Sequence, residues 1–184
     1  MIELWHGGRR WTEKPTVQAP RKGRYECGPG IYLTNQYDRA RKYAAGNGAT
    51  TLVSLRDNIT WLERKEVSLQ AMEDYVRQTS GFRKRSLILE DLERSAHRLD
   101  RDQLSASYLV NLCVNHEVLS GNQGVNLTDW LVEQGIDASL HVVNLIEHWV
   151  IVFNPEIIER YQAVPAAQVS LDQRTLPLVN LPAR

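Results

Sequence analysis

The feature that most constrains this chain is a change of hydrophobic period. Toward both ends, apolar residues come in short runs bounded by Gly, Pro or Asn, which is the pattern of strands. Between about Ser68 and Leu119 they recur three and four positions apart. Leu69, Met72 and Val76 form one stripe, Ile88, Leu92, Ala96 and Leu99 a second, and Leu104, Tyr108 and Leu112 a third. Strands on both sides of a helical stretch predict an α+β fold with a helical insertion over about residues 66–122.

The strand signals are Ile2 to His6, ending at Gly7-Gly8; Ile31 to Leu33, after the turn Gly28-Pro29-Gly30; Thr51 to Leu55; Ala138 to Val143; and Trp149 to Phe153, closed by Pro155. Ile59 to Leu62 is expected to continue the sheet. Thr34 or Asn35 is expected to cap a helix running to Ala45 and stopped by Gly46, with Tyr43 in its last turn. Asn126 is expected to cap a second helix, through Trp130 to Gln134, which Gly135 ends. One domain is expected over residues 1–163. The tail, 164–184, either covers a neighbouring surface or frays.

Composition narrows the functional classes. With 22 basic and 22 acidic residues the net charge is zero, so nothing steers the whole molecule toward nucleic acid or membrane. Any such preference must be local. Residues 9–24 form one candidate, with Arg9, Arg10, Lys14, Arg21, Lys22 and Arg24 against the single acid Glu13. Another is Phe82-Arg83-Lys84-Arg85 with Arg77, Arg94, Arg98 and Arg101. Glu90, Asp91, Glu93 and Asp100 interrupt this second group, which favours a solvated, ion-paired helix face over a phosphate-binding one.

Cys27 and Cys113 lack metal-ligand or disulfide-framework spacing, and His97, His116 and His141 lack ligand spacing, so no metal is expected. Met1 to Trp11 holds no apolar stretch fit for a signal peptide, and no run approaches the roughly 18 residues of a membrane helix. A soluble, cytoplasmic protein is expected. Gly28-x-Gly30 is too short for a dinucleotide fingerprint and lacks the distant acid of a Rossmann unit.

Three pieces taken in order resemble the ADP-ribosyltransferase superfamily, in the branch of poly-ADP-ribose polymerases and diphtheria-type toxins. Leu4-Trp5-His6-Gly7-Gly8 is similar to that family's strand ending in His-Gly. Gly28-Pro29-Gly30-Ile31-Tyr32-Leu33-Thr34 is similar to its glycine-led strand bearing a tyrosine, and Tyr43 follows Tyr32 at the family's usual interval of 11 residues (43 − 32). Leu131 to Asp137 and His148 to Pro155 resemble its closing helix, Gly-Ile-Asp turn and final strand. The resemblance covers roughly the first 60 residues and residues 125–160.

It implies two small, mostly antiparallel sheets packed at an angle, with NAD in the cleft between them. Tyr32 and Tyr43 would stack on the nicotinamide, the Gly7 backbone would hold its carboxamide, and His6 would bond a ribose hydroxyl. The basic loop could meet the pyrophosphate. Loss of nicotinamide leaves an oxocarbenium-like ribose that a carboxylate can stabilise, and Glu147 is the candidate. Counting back from Phe153-Asn154-Pro155 puts the family's glutamate nearer Trp149, on the same strand face as Glu147, and His148 is an alternative group. Ala40 stands where related enzymes often carry a carboxamide-binding serine.

The implied activity is mono-ADP-ribosylation of a macromolecular acceptor, protein or nucleic acid, by a bacterial or phage toxin or effector of the kind that an antitoxin protein counters. The rivals are an NAD glycohydrolase, RNA 2′-phosphotransferase chemistry, whose extra basic motifs are missing, and a non-catalytic NAD-binding module on the same fold.

Overall fold

A computed structural model of the chain describes residues 1–19 and 27–181. Six strands and a short helix build the frame: β1 (Ile2–Gly8), β2 (Ile31–Thr34), α1 (Tyr37–Tyr43), β3 (Ala49–Leu55), then, after a segment that holds β4 (Glu66–Ser68) and β5 (Gln103–Ser105), β6 (Ala138–Val142), β7 (His148–Val152) and β8 (Ile158–Ala163). The six frame strands form one sheet in the order β6-β7-β2-β1-β3-β8, and every registered pair in it is antiparallel. The protein is therefore α+β, as its hydrophobic periods predict.

Two antiparallel sheets are present, in keeping with the expected general class, but they are unequal: the main sheet is continuous and six-stranded, and β4 and β5 form a separate two-stranded one. The centre of the main sheet is nonetheless weakly joined. β1 and β3 share seven registered pairs and β2 and β7 share four, but β1 and β2 share the single pair Trp5↔Thr34. The sheet thus consists of two three-stranded halves held at one point.

Residues 66–115 form β4 (Glu66–Ser68), α2 (Leu69–Gln78), α3 (Arg85–Leu99), β5 (Gln103–Ser105) and α4 (Ala106–Asn115). The β4–β5 ribbon is not foreseen by the sequence, because three-residue strands carry almost no periodic signal. It clips the base of the insertion, helped by bonds from Leu69 N–H to the Asp102 carbonyl and from Ala106 N–H to the Lys65 carbonyl. Met72, Val76, Ile88, Leu92, Leu109 and Cys113 pack with Leu127 and Leu131 of α5 (Gln123–Glu133) and reach the sheet at Ile151. Each such side chain contributes about 1.5–3 kcal/mol by leaving water. The insertion is therefore fused to the sheet. Its cations are largely occupied: Arg77 pairs with Glu73, Arg94 with Asp91 and Arg101 with Glu66, while Arg85 donates to the Val76 and Thr79 carbonyls.

Several boundaries depart from expectation, each for a local reason. Residues 59–62 do not extend the sheet. Thr60 N–H donates to the Asp137 carboxylate, Trp61 makes one isolated parallel bridge to Ala138, and Leu62–Arg64 is a 3-10 turn. α1 starts at Tyr37 behind Gln36, because Asn35 is fully buried and its side chain is used elsewhere. It accepts from His148 N–H and donates to the carbonyls of Ile146 and Leu176. α5 begins at Gln123, three residues before Asn126. Pro155 opens a 3-10 turn that leads into a further strand, β8, on the β3 edge.

The tail follows the covering alternative. Gln173 O accepts from the Trp5 indole, Arg174 O from Tyr37 N–H, and Leu176 and Val179 are buried.

Gly7 is where α1 meets the sheet. A Cβ there would lie 1.6 Å from the Ala40 carbonyl oxygen, a backbone atom that cannot step aside. Gly7→Ala is expected to destabilise the protein by more than the ~1–3 kcal/mol of ordinary overpacking. At Gly46, with φ +74 and nothing within 4 Å of where a Cβ would lie, alanine should cost only about 1–2 kcal/mol of backbone strain. Urea unfolding of the two variants checks this, and equal losses would rule out the contact.

Candidate active site

The weak centre of the sheet is also where it opens. Two residues along the ladder from Trp5↔Thr34, the register would set Gly7 opposite Tyr32, and no such pair forms. The Tyr32 carbonyl instead accepts from His6 Nδ1–H at 3.0 Å. The gap leads into a cavity of about 300 Å³, at the lower end of the range for small-molecule sites. Its wall comes from four elements: Trp5, His6 and Gly7 of β1; Tyr32, Leu33 and Thr34 of β2; Arg39, Ala40 and Tyr43 of α1; and Trp149 of β7. Four of the residues singled out in the sequence, His6, Gly7, Tyr32 and Tyr43, thus meet at one cavity.

His6 is held in a defined protonation state. A carbonyl can only accept, so Nδ1 carries the proton and Nε2 presents a lone pair. Burial pushes the imidazole pKa down, against the opposing effect of the Tyr32 carbonyl, so the ring is neutral at pH 7. Trp11 stacks on it at 4.5 Å with planes 27° apart. A Cβ at position 8 would approach Nε2 to 2.9 Å, so Gly8 leaves that nitrogen open.

Tyr32 is fixed at both ends. Its hydroxyl donates to the Gly28 carbonyl at 2.6 Å and accepts from Cys27 N–H, while its ring meets the edge of Trp149 at 6.1 Å. Tyr43, 60% exposed, stands at the mouth. Arg9, Arg10, Arg41 and Lys42 are exposed on the adjoining ends of β1 and α1. Arg21, Lys22 and Arg24 of the expected basic loop lie outside the described residues, and Lys14 pairs with Glu156.

Glu147 lies just behind the wall. Arg39 grips its carboxylate with a two-bond fork, Nε to Oε1 at 2.7 Å and Nη2 to Oε2 at 3.0 Å, and the Trp149 indole donates to Oε1 at 2.8 Å. The Glu147 side chain is 7% exposed and that of Arg39 37%. The Arg39 guanidinium holds the Glu147 carboxyl below the usual carboxylate range, outweighing the upward push of burial; the Trp149 bond and the field of Lys42 act in the same direction as Arg39. Among the described residues no carboxylate lines the cavity. His148, the alternative group, is buried, with Nδ1 bonded to the Val179 carbonyl, and is also absent from the wall.

Sequence reasoning missed Arg39 and Trp149 as wall residues. The signal for Trp149 was present in the strand alternation that puts it on the same face as Glu147. The arginine's role depends on a partner 108 positions away and had no local signal.

Removing Arg39 would leave a buried, ionised acid with only the indole for company. Because a third of the arginine is in water, the cost of Arg39→Ala should fall below the ~3–5 kcal/mol typical of breaking a wholly buried pair, at roughly 1–3 kcal/mol. The pair should also be acid-sensitive. Glu147's pKa is lower folded than unfolded, so its contribution is full above the unfolded value, about 4.3, and is lost as pH falls through the lower folded one. Denaturant melts of wild type and Glu147→Gln at pH 7 and pH 3 should show a stability gap that shrinks at pH 3; a constant gap would contradict the assignment. No protein-family model, curated protein or solved structure matches the chain.

Proposed function

We propose that the cavity binds NAD by its nicotinamide end and that the protein transfers ADP-ribose to a macromolecular acceptor, protein or nucleic acid. The observation that carries this reading is the convergence of His6, Gly7, Tyr32 and Tyr43, from β1, β2 and α1, on one aromatic cavity at a break in the sheet. A planar, electron-poor ring suits a slot between Tyr32 and Tyr43. The strand edge of Gly7 that faces the gap offers backbone groups to a carboxamide. Neutral His6, with Nε2 open as an acceptor, suits a ribose hydroxyl.

In the reaction, the glycosidic bond to nicotinamide breaks, its electron pair leaves with nicotinamide, and the acceptor nucleophile attacks the ribose carbon as it loses a proton. The role of an acid here is to stabilise positive charge on the ribose. Glu147 is ionised and adjoins the Trp149 wall, but in this role its carboxylate must turn from the Arg39 fork into the cavity. That clamp supports a second reading, in which the carboxylate stays behind Arg39 and the protein binds NAD without cleaving it. A bacterial or phage toxin or effector with an antitoxin partner fits the first reading. A binding module fits the second.

Incubation with labelled NAD and separate pools of protein, RNA and DNA should release nicotinamide and label one pool. Release without label would mean that water is the acceptor and the protein is a glycohydrolase; binding without release would support the module. Tyr32→Ala should weaken NAD binding about tenfold, the equivalent of ~1.4 kcal/mol of lost stacking and contact. Glu147→Gln should bind NAD at least as tightly as wild type and release nicotinamide about 10²-fold more slowly. An unchanged release rate would remove Glu147 from the mechanism.

A further inference from the structure

Arg39 is the charged side chain on the cavity wall, and Glu147 is its holder. A guanidinium has five N–H donors in one plane. Glu147 takes two of them, one on Nε and one on Nη2, and no other bond from Arg39 is formed within the described residues. Three donors are therefore left on a side chain that faces the cavity and is 37% exposed. The local charge balance favours an anion. Lys42 is close enough to depress the Glu147 carboxyl, so two cations stand against one acid, and no further carboxylate lines the wall among the described residues. A planar fork is also the group best shaped to grip phosphate oxygens.

We propose that the cavity contains a phosphate-binding position at Arg39, for which Glu147 and an incoming phosphate compete. The competition follows from Coulomb's law. Two negative groups on one guanidinium repel each other, even where that guanidinium is partly exposed, so each weakens the other's hold. By linkage the coupling is reciprocal: a bound phosphate loosens the Arg39–Glu147 fork as much as Glu147 disfavours the phosphate. Glu147 keeps its bond from the Trp149 indole meanwhile. The inference rests on the NAD reading only for the natural ligand, whose pyrophosphate would then loosen the acid that the transfer step needs. The site itself is independent of that reading and admits any phosphate-bearing ligand that fits the cavity.

Inorganic pyrophosphate is the direct probe, titrated calorimetrically into the full chain at fixed ionic strength. Wild type should bind it. Arg39→Ala should lose at least tenfold in affinity, and Glu147→Gln should gain severalfold because the competing charge is gone. Arg39→Ala/Glu147→Gln removes the arginine without leaving an orphaned acid, so it tests the position even if the single Arg39 variant does not fold; it should bind as weakly as Arg39→Ala. Failure of wild type to bind, equal binding by the double variant, or no gain in Glu147→Gln would overturn the proposal. A parallel NAD titration separates the two readings. If pyrophosphate follows the pattern and NAD does not bind, the phosphate position stands and the NAD reading falls; if NAD binds and pyrophosphate ignores Arg39, the reverse holds.

Discussion

The contact on which the rest of this molecule depends is the one between Gly7 and the Ala40 carbonyl. Helix α1 lies so close to β1 that no side chain fits between them. That closeness lets Trp5 meet Tyr37 edge-on at 5.1 Å, and the tail seals the same corner through bonds to the Trp5 indole and the Tyr37 amide. With α1 fixed there, the chain leaving β2 must turn sharply at Asn35 and Gln36, and the β1–β2 ladder is limited to the pair Trp5↔Thr34. The cavity is the space that the missing ladder would have filled. Among the described residues its wall comes from the edge of the sheet, from helix α1 and from aromatic rings, so it is built into the fold.

Two buried acids pin β7 within this frame, and they differ in a way that bears on function. Asp137 accepts from Arg56, Thr60 N–H and Asn154, while its backbone carbonyl accepts from Phe153 and Asn154 at the end of β7. Glu147 accepts from Arg39 and Trp149 at the start of the strand. Each acid is almost wholly buried and each is held by an arginine with about 40% of its side chain exposed. Asp137 is not among the residues that line the cavity, and its bonds serve register and strand termination. The Glu147 cluster has both of its donors on the cavity wall. The Arg39–Glu147 pair therefore adjoins the cavity, and the Arg56–Asp137 pair does not line it.

What was legible in the sequence follows from the range of the interactions involved. His6-Gly7, Tyr32 and Tyr43 could be read because each lies on a local element with a strong signal, a strand end, a glycine-led strand and a helix. The 11-residue interval then constrains two of them jointly. The helices between residues 69 and 115 were legible from their period. The β4–β5 ribbon and β8 were not: one is too short to alternate, and the other follows a proline that reads as a stop. Strand alternation puts Glu147 and Trp149 on one face, but which of them reaches the cavity is decided by the pairing of Thr34 with Trp149 across β2 and β7. Asn35 reads as a helix cap because Asn commonly is one. Its burial under the tail, invisible locally, gives its side chain three other partners.

The cavity wall also carries two unlike polar groups, His6 and Arg39, and they limit what can lie in it. At the β1 end, His6 offers only the Nε2 lone pair, since Nδ1–H is taken by Tyr32 and burial disfavours a second proton. That end accepts a hydrogen bond and repels an anion's lone pairs. Arg39 offers only donors and positive charge, so its side of the cavity takes an acceptor and suits an anion. The rings of Tyr32, Trp149 and Tyr43 line the same cavity and favour a flat, weakly hydrated group. A ligand that satisfies all three needs a hydroxyl, a planar ring and a negative group held in a fixed relation. A free aromatic amide or a simple phosphate meets one requirement each; a phosphorylated nucleoside meets all three, because one ribose carries hydroxyls, the base and, through C5′, the phosphate. On the proposed reading, a nucleotide held as a unit would therefore fit the site better than either fragment, because no fragment makes these contacts together.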